Sequence, residues 1–482
     1  MSPIDVTVWG FAVYFAIVNV SSVVLLFLGW RGIREYLMNR SLDDHDEILR
    51  APTTPPVSII VPAFNEQPVI VASVLSLLRT RYSHFEVMVV NDGSQDDTLG
   101  ELRRAFDLVE LPRVPRTRLE TAHVNAVYVS RRDPRLMVVD KANGGKADAI
   151  NAGLSFARYP LFCAVDSDTM LDDDALLRLV RPFLNDSSVV ACGGVVRIAN
   201  GSRAESGRIT EVRAPRSLIV NIQIVEYLRA FLAGRVGWSR LGGLLIISGA
   251  FGLFRRETVL SVGGYARGSV GEDAELVVRL HRRMVERDEA YRVVFVADPV
   301  CWTQAPTSLR VLGRQRERWQ RGLWESLVLH RGMIGRPRYG VPGMLAMPFF
   351  LIFEAIGPLV EVMGVVLTAV GLAMGYVSPV LAAVVFGLSI SFGLVLSFGA
   401  LMIEERGFRR YHSWACTLRL VFAALMENLG YRQWLSLVRA WALVSLATGK
   451  DGWGEMPREA FERPEDMDAP LAALHVLRPG EV

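Results

Sequence analysis

The sequence predicts an α/β domain with a largely parallel sheet, joined to an α-helical membrane region. Three observations predict it. From Val57 onward, short apolar runs alternate with amphipathic stretches, the pattern of strands covered by helices. Several of these runs end abruptly in polar groups, as in Asn91-Asp92-Gly93-Ser94 and Asp166-Ser167-Asp168, so functional side chains collect at one sheet edge. Long apolar segments flank the domain, at residues 7–30 and again beyond residue 342. Composition agrees, because the 482 residues are 51% hydrophobic with a positive mean hydropathy, too apolar for a purely soluble chain. A net charge of +3, with dispersed arginines and no basic block interleaved with aromatics, argues against nucleic acid. Cys163, Cys192, Cys301 and Cys416 lie far apart in apolar contexts without Cys-x-x-Cys spacing, which favours buried, reduced thiols.

Residues 7–30 exceed the roughly 20 residues that span a bilayer. Asp5 precedes the run and Arg31, Arg34 and Arg40 follow it. That is the reverse of a signal peptide, and by the positive-inside rule it sends the chain into the cytoplasm. The expected organisation is an N-terminal transmembrane helix (1–40), a linker (41–56), a cytoplasmic α/β domain (57–325), interfacial and transmembrane helices (326–448) and a cytoplasmic tail (449–482).

Strands are expected at 57–62, 85–90, 136–139, Leu161–Val165, Val189–Ile198 and 292–296. Asn65-Glu66-Gln67-Pro68 is expected to start a helix with proline in its first turn. Glu66, Asp92 and Asp166 then stand just beyond strand C-termini. Asp166 and Asp168 repel each other at a strand end unless a divalent cation carrying a diphosphate lies between them. The alternative is an Asp-rich turn capping a helix that starts near Asp172. Asn143-Gly144-Gly145-Lys146 pairs glycines, which let the backbone approach a ligand, with a lysine at a helix start suited to phosphate. The spacing is not that of a Walker loop, and no Gly-x-Gly-x-x-Gly follows the first strand, so ATP hydrolysis and dinucleotide binding are disfavoured.

Further on, residues 217–235 form a mixed apolar and basic helix, and Ser248-Gly249-Ala250-Phe251-Gly252 walls a pocket or makes a tight buried strand. Gly271-Glu272-Asp273 opens an amphipathic helix, although acidity at a helix start is favoured by the macrodipole alone. Gln315, Arg318 and Trp319 share one side of another helix, as a site or as a plain surface face. Residues 342–375 are apolar but carry Glu354, Pro358 and Glu361. A carboxylate at a span's centre costs about 2.5–3.5 kcal/mol, so two of them predict a protein-facing or water-lined wall, or an interfacial helix up to Gly357 followed by one span. Residues 380–401 form a clean span, and 414–448 an amphipathic hairpin or two short spans. Five crossings in all would return the tail to the cytoplasm.

Taken in order, Val61-Pro62-Ala63-Phe64-Asn65-Glu66, Asn91-Asp92-Gly93-Ser94, Gly144-Gly145-Lys146, Asp166-Ser167-Asp168, Gly271-Glu272-Asp273 and Gln315-Arg316-Glu317-Arg318-Trp319 resemble the membrane-embedded family 2 glycosyltransferases. Within them the chain looks most like processive synthases of β-linked polysaccharides: poly-N-acetylglucosamine, chitin-oligosaccharide, hyaluronan and cellulose. The resemblance covers about residues 57–325. It implies a GT-A fold, Rossmann-like and nucleotide-sugar-binding, in which Pro62, Ala63, Asn65, Glu66 and Asp92 hold the uridine of a UDP-sugar. Lys146 would approach the nucleotide or its diphosphate, Asp166 would sit by the diphosphate, and Asp168 would hold Mg2+ or Mn2+. Asp273, next to Glu272, would be the general base. Gln315, Arg318 and Trp319 would close over donor and acceptor, Arg318 near the phosphates and Trp319 against the acceptor sugar.

The implied partners are a donor carrying N-acetylglucosamine or glucose, a growing glycan or lipid acceptor, the lipid bilayer, and export partners. Ser248-Gly249-Ala250 looks closer to the N-acetylglucosamine-polymer branch than to cellulose. The implied location is a bacterial-type inner membrane, multi-pass, with the catalytic domain cytoplasmic. One departure from the family pattern is Gly271, which stands where Thr or Ser is usual. The alternatives are transfer of a single sugar to a lipid and a silent nucleotide-binding subunit of a secretion complex. Against silence, Asp166, Asp168, Asp273 and Trp319 are all present.

Overall fold

The computed structural model describes residues 3–40, 48–49, 51, 53–205 and 207–447. The expected tail (449–482) and most of the first half of the expected linker lie outside the described residues.

The strands are β1 (Val57–Ala63), β2 (Phe85–Asp92), β3 (Leu108–Glu110), β4 (Val124–Ser130), β5 (Leu136–Lys141) and β6 (Leu161–Val165). They are followed by β7 (Met170–Leu171), β8 (Val189–Ile198), β9 (Arg203–Glu205), β10 (Arg208–Glu211), β11 (Phe251–Arg255) and β12 (Arg292–Thr303). All but β9 and β10, which form a separate ribbon, join one ten-stranded sheet in the order β3-β4-β5-β2-β1-β6-β11-β8-β12-β7. The sheet is mixed rather than largely parallel. β1, β2, β5 and β6 run parallel, as do β8 and β12, but β4 hairpins onto β5 and β11 is inserted antiparallel between β6 and β8. β1, β2, β6 and β8 are buried over nearly their whole length, as central strands covered on both faces are.

The helices of this part are α1 (Pro3–Arg40), α2 (Ile70–Leu78), α3 (Thr98–Phe106), α4 (Lys146–Phe156), α5 (Ala175–Asn185), α6 (218–241), α7 (Arg256–Ser261), α8 (Glu272–Glu286) and α9 (Leu309–Leu329). The helix expected from Asn65 begins only at Ile70. Asn65 takes φ of +55°, and the Glu66 carbonyl accepts from both Val69 (3.0 Å) and Ile70 (2.9 Å), so Pro68 lies in a preceding turn. The helix expected near Asp172 starts at Ala175, because Asp172 is engaged elsewhere, accepting from Trp302 Nε1 (2.8 Å) and Arg410 (3.1 Å). α6 is interrupted by π-helical turns over Arg229–Arg235, a geometry that recurs at functional sites.

Beyond α9 come α10 (Pro342–Ala355) and α11 (Gly357–Ala373), bent by 41° at their junction, then α12 (Pro379–Gly407), α13 (Trp414–Met426) and α14 (Arg432–Ala447). Among the described residues, two helices, within α1 and α12, are long and apolar enough to cross a membrane, or three if the bent pair is one span. Five were expected. α13 and α14, at 13 and 16 residues, fall short of the roughly 20 that a span needs. Glu354 and Glu361 face protein: Arg439 reaches Glu354 at 3.0 Å and Arg432 reaches Glu361 at 2.8 Å, both from α14. Polar contacts join the sheet to the apolar helices. The Tyr36 hydroxyl donates to Asp298 of β12 (3.0 Å) and the buried Arg197 of β8 pairs with the buried Glu404 of α12, while Arg240 of α6 pairs with Glu35 of α1 (2.6 Å).

Candidate active site

The C-terminal ends of β5, β2, β1 and β6 lie side by side, so the loops that follow them share one edge at the point where strand order reverses. The loops after β1 and β2 are knitted together: Asn65 N donates to Ser94 Oγ (3.0 Å), Gln95 N to Asn65 Oδ1 (2.7 Å), and Glu66 N to Thr98 Oγ1 (2.9 Å). Asn65 stays exposed. Pro62 is half-buried and Ala63 buried, while Glu66 and Asp92 are turned inward, 2% and 3% exposed. Asp92 accepts from the amides of Gly144 (3.0 Å) and Gly145 (2.7 Å) and pairs with Lys141, which also reaches Asp148 (2.7 Å). Its carboxylate thus organises the glycine loop from behind. Gly145, at φ +87°, adopts a backbone that side chains rarely tolerate. Lys141 is a residue that sequence reasoning missed. Its signal was an opposite charge at the end of the neighbouring strand, in direct register with Asp92.

Lys146 opens α4 and aims its ammonium across the edge. Nζ lies 2.5 Å from Asp166 and 3.8 Å from Glu272, and donates to the Gly249 carbonyl at 3.4 Å. Burial works against its charge, but Asp166, Glu272 and Asp273 more than offset this and hold it well above its usual range. The Gly249 amide donates to Asp273 Oδ2 (3.0 Å), and Asp273 Oδ1 accepts from Ala274 N (2.8 Å). The Ser248–Ala250 stretch, expected as a pocket wall or a strand, is a turn against these carboxylates, with the strand starting at Phe251. The structure thus brings Lys146, Asp166, Glu272 and Asp273 together from three separate elements.

Burial pushes the Glu272 carboxyl up to about 7, with Lys146 opposing and Asp273 adding to the rise. A carboxyl raised in the fold above its ordinary 4.5 contributes stability below that value and loses it as pH climbs through about 7. The loss is on the order of 3 kcal/mol. Glu272→Gln, which cannot ionise, is therefore expected to flatten the melting temperature between pH 5 and 8 and to melt above the parent at pH 8. Thermal scans in detergent at both values check this.

α9 forms the opposite wall. Arg316 is buried, pairs with Glu226 (2.7 Å) and lies 4.4 Å above the Trp319 ring, whereas Trp319 and Arg318 are exposed. Gln315 Oε1 is buried without a hydrogen-bond partner. Trp319 also nears Tyr227 of α6, at 6.5 Å between ring centroids. Burial raises the Tyr227 hydroxyl, Arg316 opposes, and Glu226 and Asp168 add to the rise. Arg235, at the end of the π-helical turns, rests on Phe231 (4.0 Å) with its Nη1 buried and lacking a hydrogen-bond partner; burial lowers its guanidinium to about 10, with Asp273 and Tyr227 opposing the fall. Tyr227 and Arg235 were hidden in the sequence as parts of an ordinary mixed helix.

The departure at Gly271 has a steric cause. A Cβ on Gly271 would lie 2.8 Å from Gly322 backbone atoms, and one on Gly322 2.7 Å from Gly271 Cα. The start of α8 and the middle of α9 meet backbone to backbone, which fixes the Glu272–Asp273 pair against the helix carrying Trp319.

The donor set can be tested for a metal. Among the described residues no group of three or more His, Cys, Asp or Glu side chains could hold one. Mg2+, however, usually takes only one or two protein carboxylates, with substrate phosphates and water completing its shell. Asp166 and Asp168 fit that mode.

The sheet thus carries an acidic pair after β6, a lysine reaching it from α4, and a second acidic pair opposite. The chain belongs to glycosyltransferase family 2: residues 55–322 match the family model described as "Glycosyltransferase like family 2". Poly-β-1,6-N-acetyl-D-glucosamine synthase of Staphylococcus aureus (strain COL) is 28% identical over 307 residues, 63% of this chain and 62% of that enzyme. The synthase of the same name from Staphylococcus epidermidis is 26% identical over 300 residues, 61% of this chain and 60% of the other. The chain thus spans about three fifths of the length of these curated relatives. Among solved structures, the mannosyltransferase PcManGT from Pyrobaculum calidifontis, in complex with GDP-Man and Mn2+, matches with a TM-score of 0.48 at 19% identity, covering 86% of this chain and 99% of that one.

Proposed function

We propose that the protein is a membrane-embedded, inverting transferase that passes a sugar from a UDP-sugar to the growing end of a β-linked polysaccharide, processively and coupled to export. The observation that carries this reading is the position of Lys146, within 2.5 Å of Asp166 and 3.8 Å of Glu272, which puts the diphosphate side and the base side of a displacement within one side chain's reach. Asp273 takes the proton from the acceptor hydroxyl on the face opposite the leaving UDP. Lys146 exchanges Asp166 for the diphosphate and holds its charge as the glycosidic bond forms. Pro62, Ala63 and Asn65 line the uridine, with Glu66 and Asp92 shaping the loops from behind. Gln315, with its unpartnered carbonyl, Arg318 and Trp319 close over donor and acceptor, Arg318 near the phosphates and Trp319 against the acceptor sugar, and Arg235 and Tyr227 complete the wall. Asp168, with Asp166, would hold Mg2+ or Mn2+, which when bound supplies charge neutralisation on the departing diphosphate.

The names of the curated relatives favour N-acetylglucosamine over glucose as the donor sugar. The arginines after α1's apolar run support a cytoplasmic catalytic domain, with residues 57–325 as the catalytic unit. The test offers labelled UDP-N-acetylglucosamine, UDP-glucose and UDP-galactose to the purified protein with Mg2+ or Mn2+ and with a chelator, then sizes the product. Polymer from UDP-N-acetylglucosamine, abolished by chelation and restored by metal, is expected. A lipid carrying one sugar would overturn the processive reading. Polymer remaining wholly on the donor side of sealed vesicles would overturn the export reading.

A further inference from the structure

The chemistry above leaves one feature of the membrane-facing helices unused. α1 and α12 run side by side in the same direction: a Cβ on Gly399 would lie 2.5 Å from Leu26, and one on Gly407 3.4 Å from Leu37. Along this seam lies a groove of about 550 Å³. Its lining, including Val23, Phe27 and Trp30 on α1 and Met402 on α12, is apolar except at one end, where Arg34 and Arg406 enter. That end is the one nearer the sheet, since Tyr36 and Glu404, the neighbours of these arginines, contact Asp298 and Arg197.

We propose that this groove binds one anionic glycerophospholipid, its acyl chains along the seam and its phosphate between Arg34 and Arg406. Length supports a lipid, because Val23 to Met38 at 1.5 Å per residue gives about 22 Å. One leaflet with its headgroups measures about the same, half of roughly 40–45 Å. Charge supports an anionic one. Both arginines are exposed, and neither pairs with an acidic side chain among the described residues, whereas their neighbours do: Arg31 lies 3.0 Å from Glu35 and Arg409 3.6 Å from Glu405. Guanidinium recognises phosphate by paired hydrogen bonds. The Arg34 guanidinium lies 5.8 Å above the Trp30 ring, which suits the headgroup level where tryptophan concentrates. An apolar helix from another protein would leave both charges against hydrocarbon. A bound lipid would brace α1 against α12 where they carry the Tyr36 and Glu404 contacts to the sheet.

The test is native mass spectrometry of the delipidated full chain titrated with phosphatidylglycerol or phosphatidylcholine. One phosphatidylglycerol is expected to bind at least tenfold more tightly than phosphatidylcholine and to raise the melting temperature. The double variant Arg34→Gln/Arg406→Gln should lose that preference, while Arg31→Gln/Arg409→Gln should keep it. All three proteins are first compared by melting in phosphatidylcholine, so that a folding defect would show itself. Equal affinity for the two lipids would overturn the site and leave the groove to a protein partner. Equal loss in both double variants would reduce it to general surface charge and also overturn it.

Discussion

Asp273→Asn is expected to lower sugar transfer by about 10²- to 10⁴-fold, the usual contribution of a general base, while UDP binding stays within a few fold of the parent. The geometry favours a clean result. The Gly249 and Ala274 amides now meet separate carboxylate oxygens at 3.0 and 2.8 Å, so an asparagine in this place keeps one of these bonds through its single carbonyl oxygen and gives up the other. Lys146 would keep Asp166 and Glu272 as partners, so the donor side should survive. What disappears is the capacity to take up a proton. Single-turnover transfer and calorimetric UDP titration, run side by side, separate the two effects. Glu272→Gln is the control, because Glu272 is the carboxyl whose ionisation burial delays to about 7. If Asp273→Asn transfers at the parental rate while Glu272→Gln is dead, the base is Glu272.

The parts of this fold that were legible in the sequence are those where one local signal dominates. Leu161–Val165 reads as a strand because five buried apolar residues run into two carboxylates, and α8 begins where Gly271-Glu272-Asp273 said it would. The misread parts depend on partners distant in sequence. The mixed character of the sheet rests on β11, a five-residue strand after a glycine turn that pairs antiparallel with both β6 and β8, and nothing local in residues 251–255 specifies those neighbours. The Asp92 loop reads as a turn at a strand end, but Lys141, which pairs with its carboxylate, went unread because it lies 49 positions later. Gly271 stood out only as a departure, and its reason is Gly322, on another helix. Arg235 carried no signal, since a single buried guanidinium nitrogen lacking a hydrogen bond becomes visible only when the atoms around it are known.

Glu404→Leu is expected to destabilise the docking of the sheet on α12 by about 3–5 kcal/mol, because it leaves Arg197 buried without its counter-charge. Their side chains are 1% and 3% exposed, both terminal guanidinium nitrogens reach the carboxylate, and Arg197 Nη1 lies 3.1 Å from Glu404 Oε1. Glu404 also accepts from the Arg410 backbone amide (3.2 Å), and the Arg410 side chain pairs with Asp172, four residues after Asp168. The pair therefore lies one contact from the turn that follows the acidic strand end. Its net value is a separate matter, since two buried charges replaced together by apolar groups often cost nothing. Arg197→Met/Glu404→Leu should regain most of the loss, and the double-mutant cycle, followed by thermal unfolding in detergent, measures the coupling. A single variant as stable as the parent would refute the argument. Should the double variant recover its melting temperature but not its transfer rate, the ion pair serves geometry rather than stability, holding the Asp168–Asp172 segment, with β7 inside it, in register with a helix that apolar packing alone would let slide.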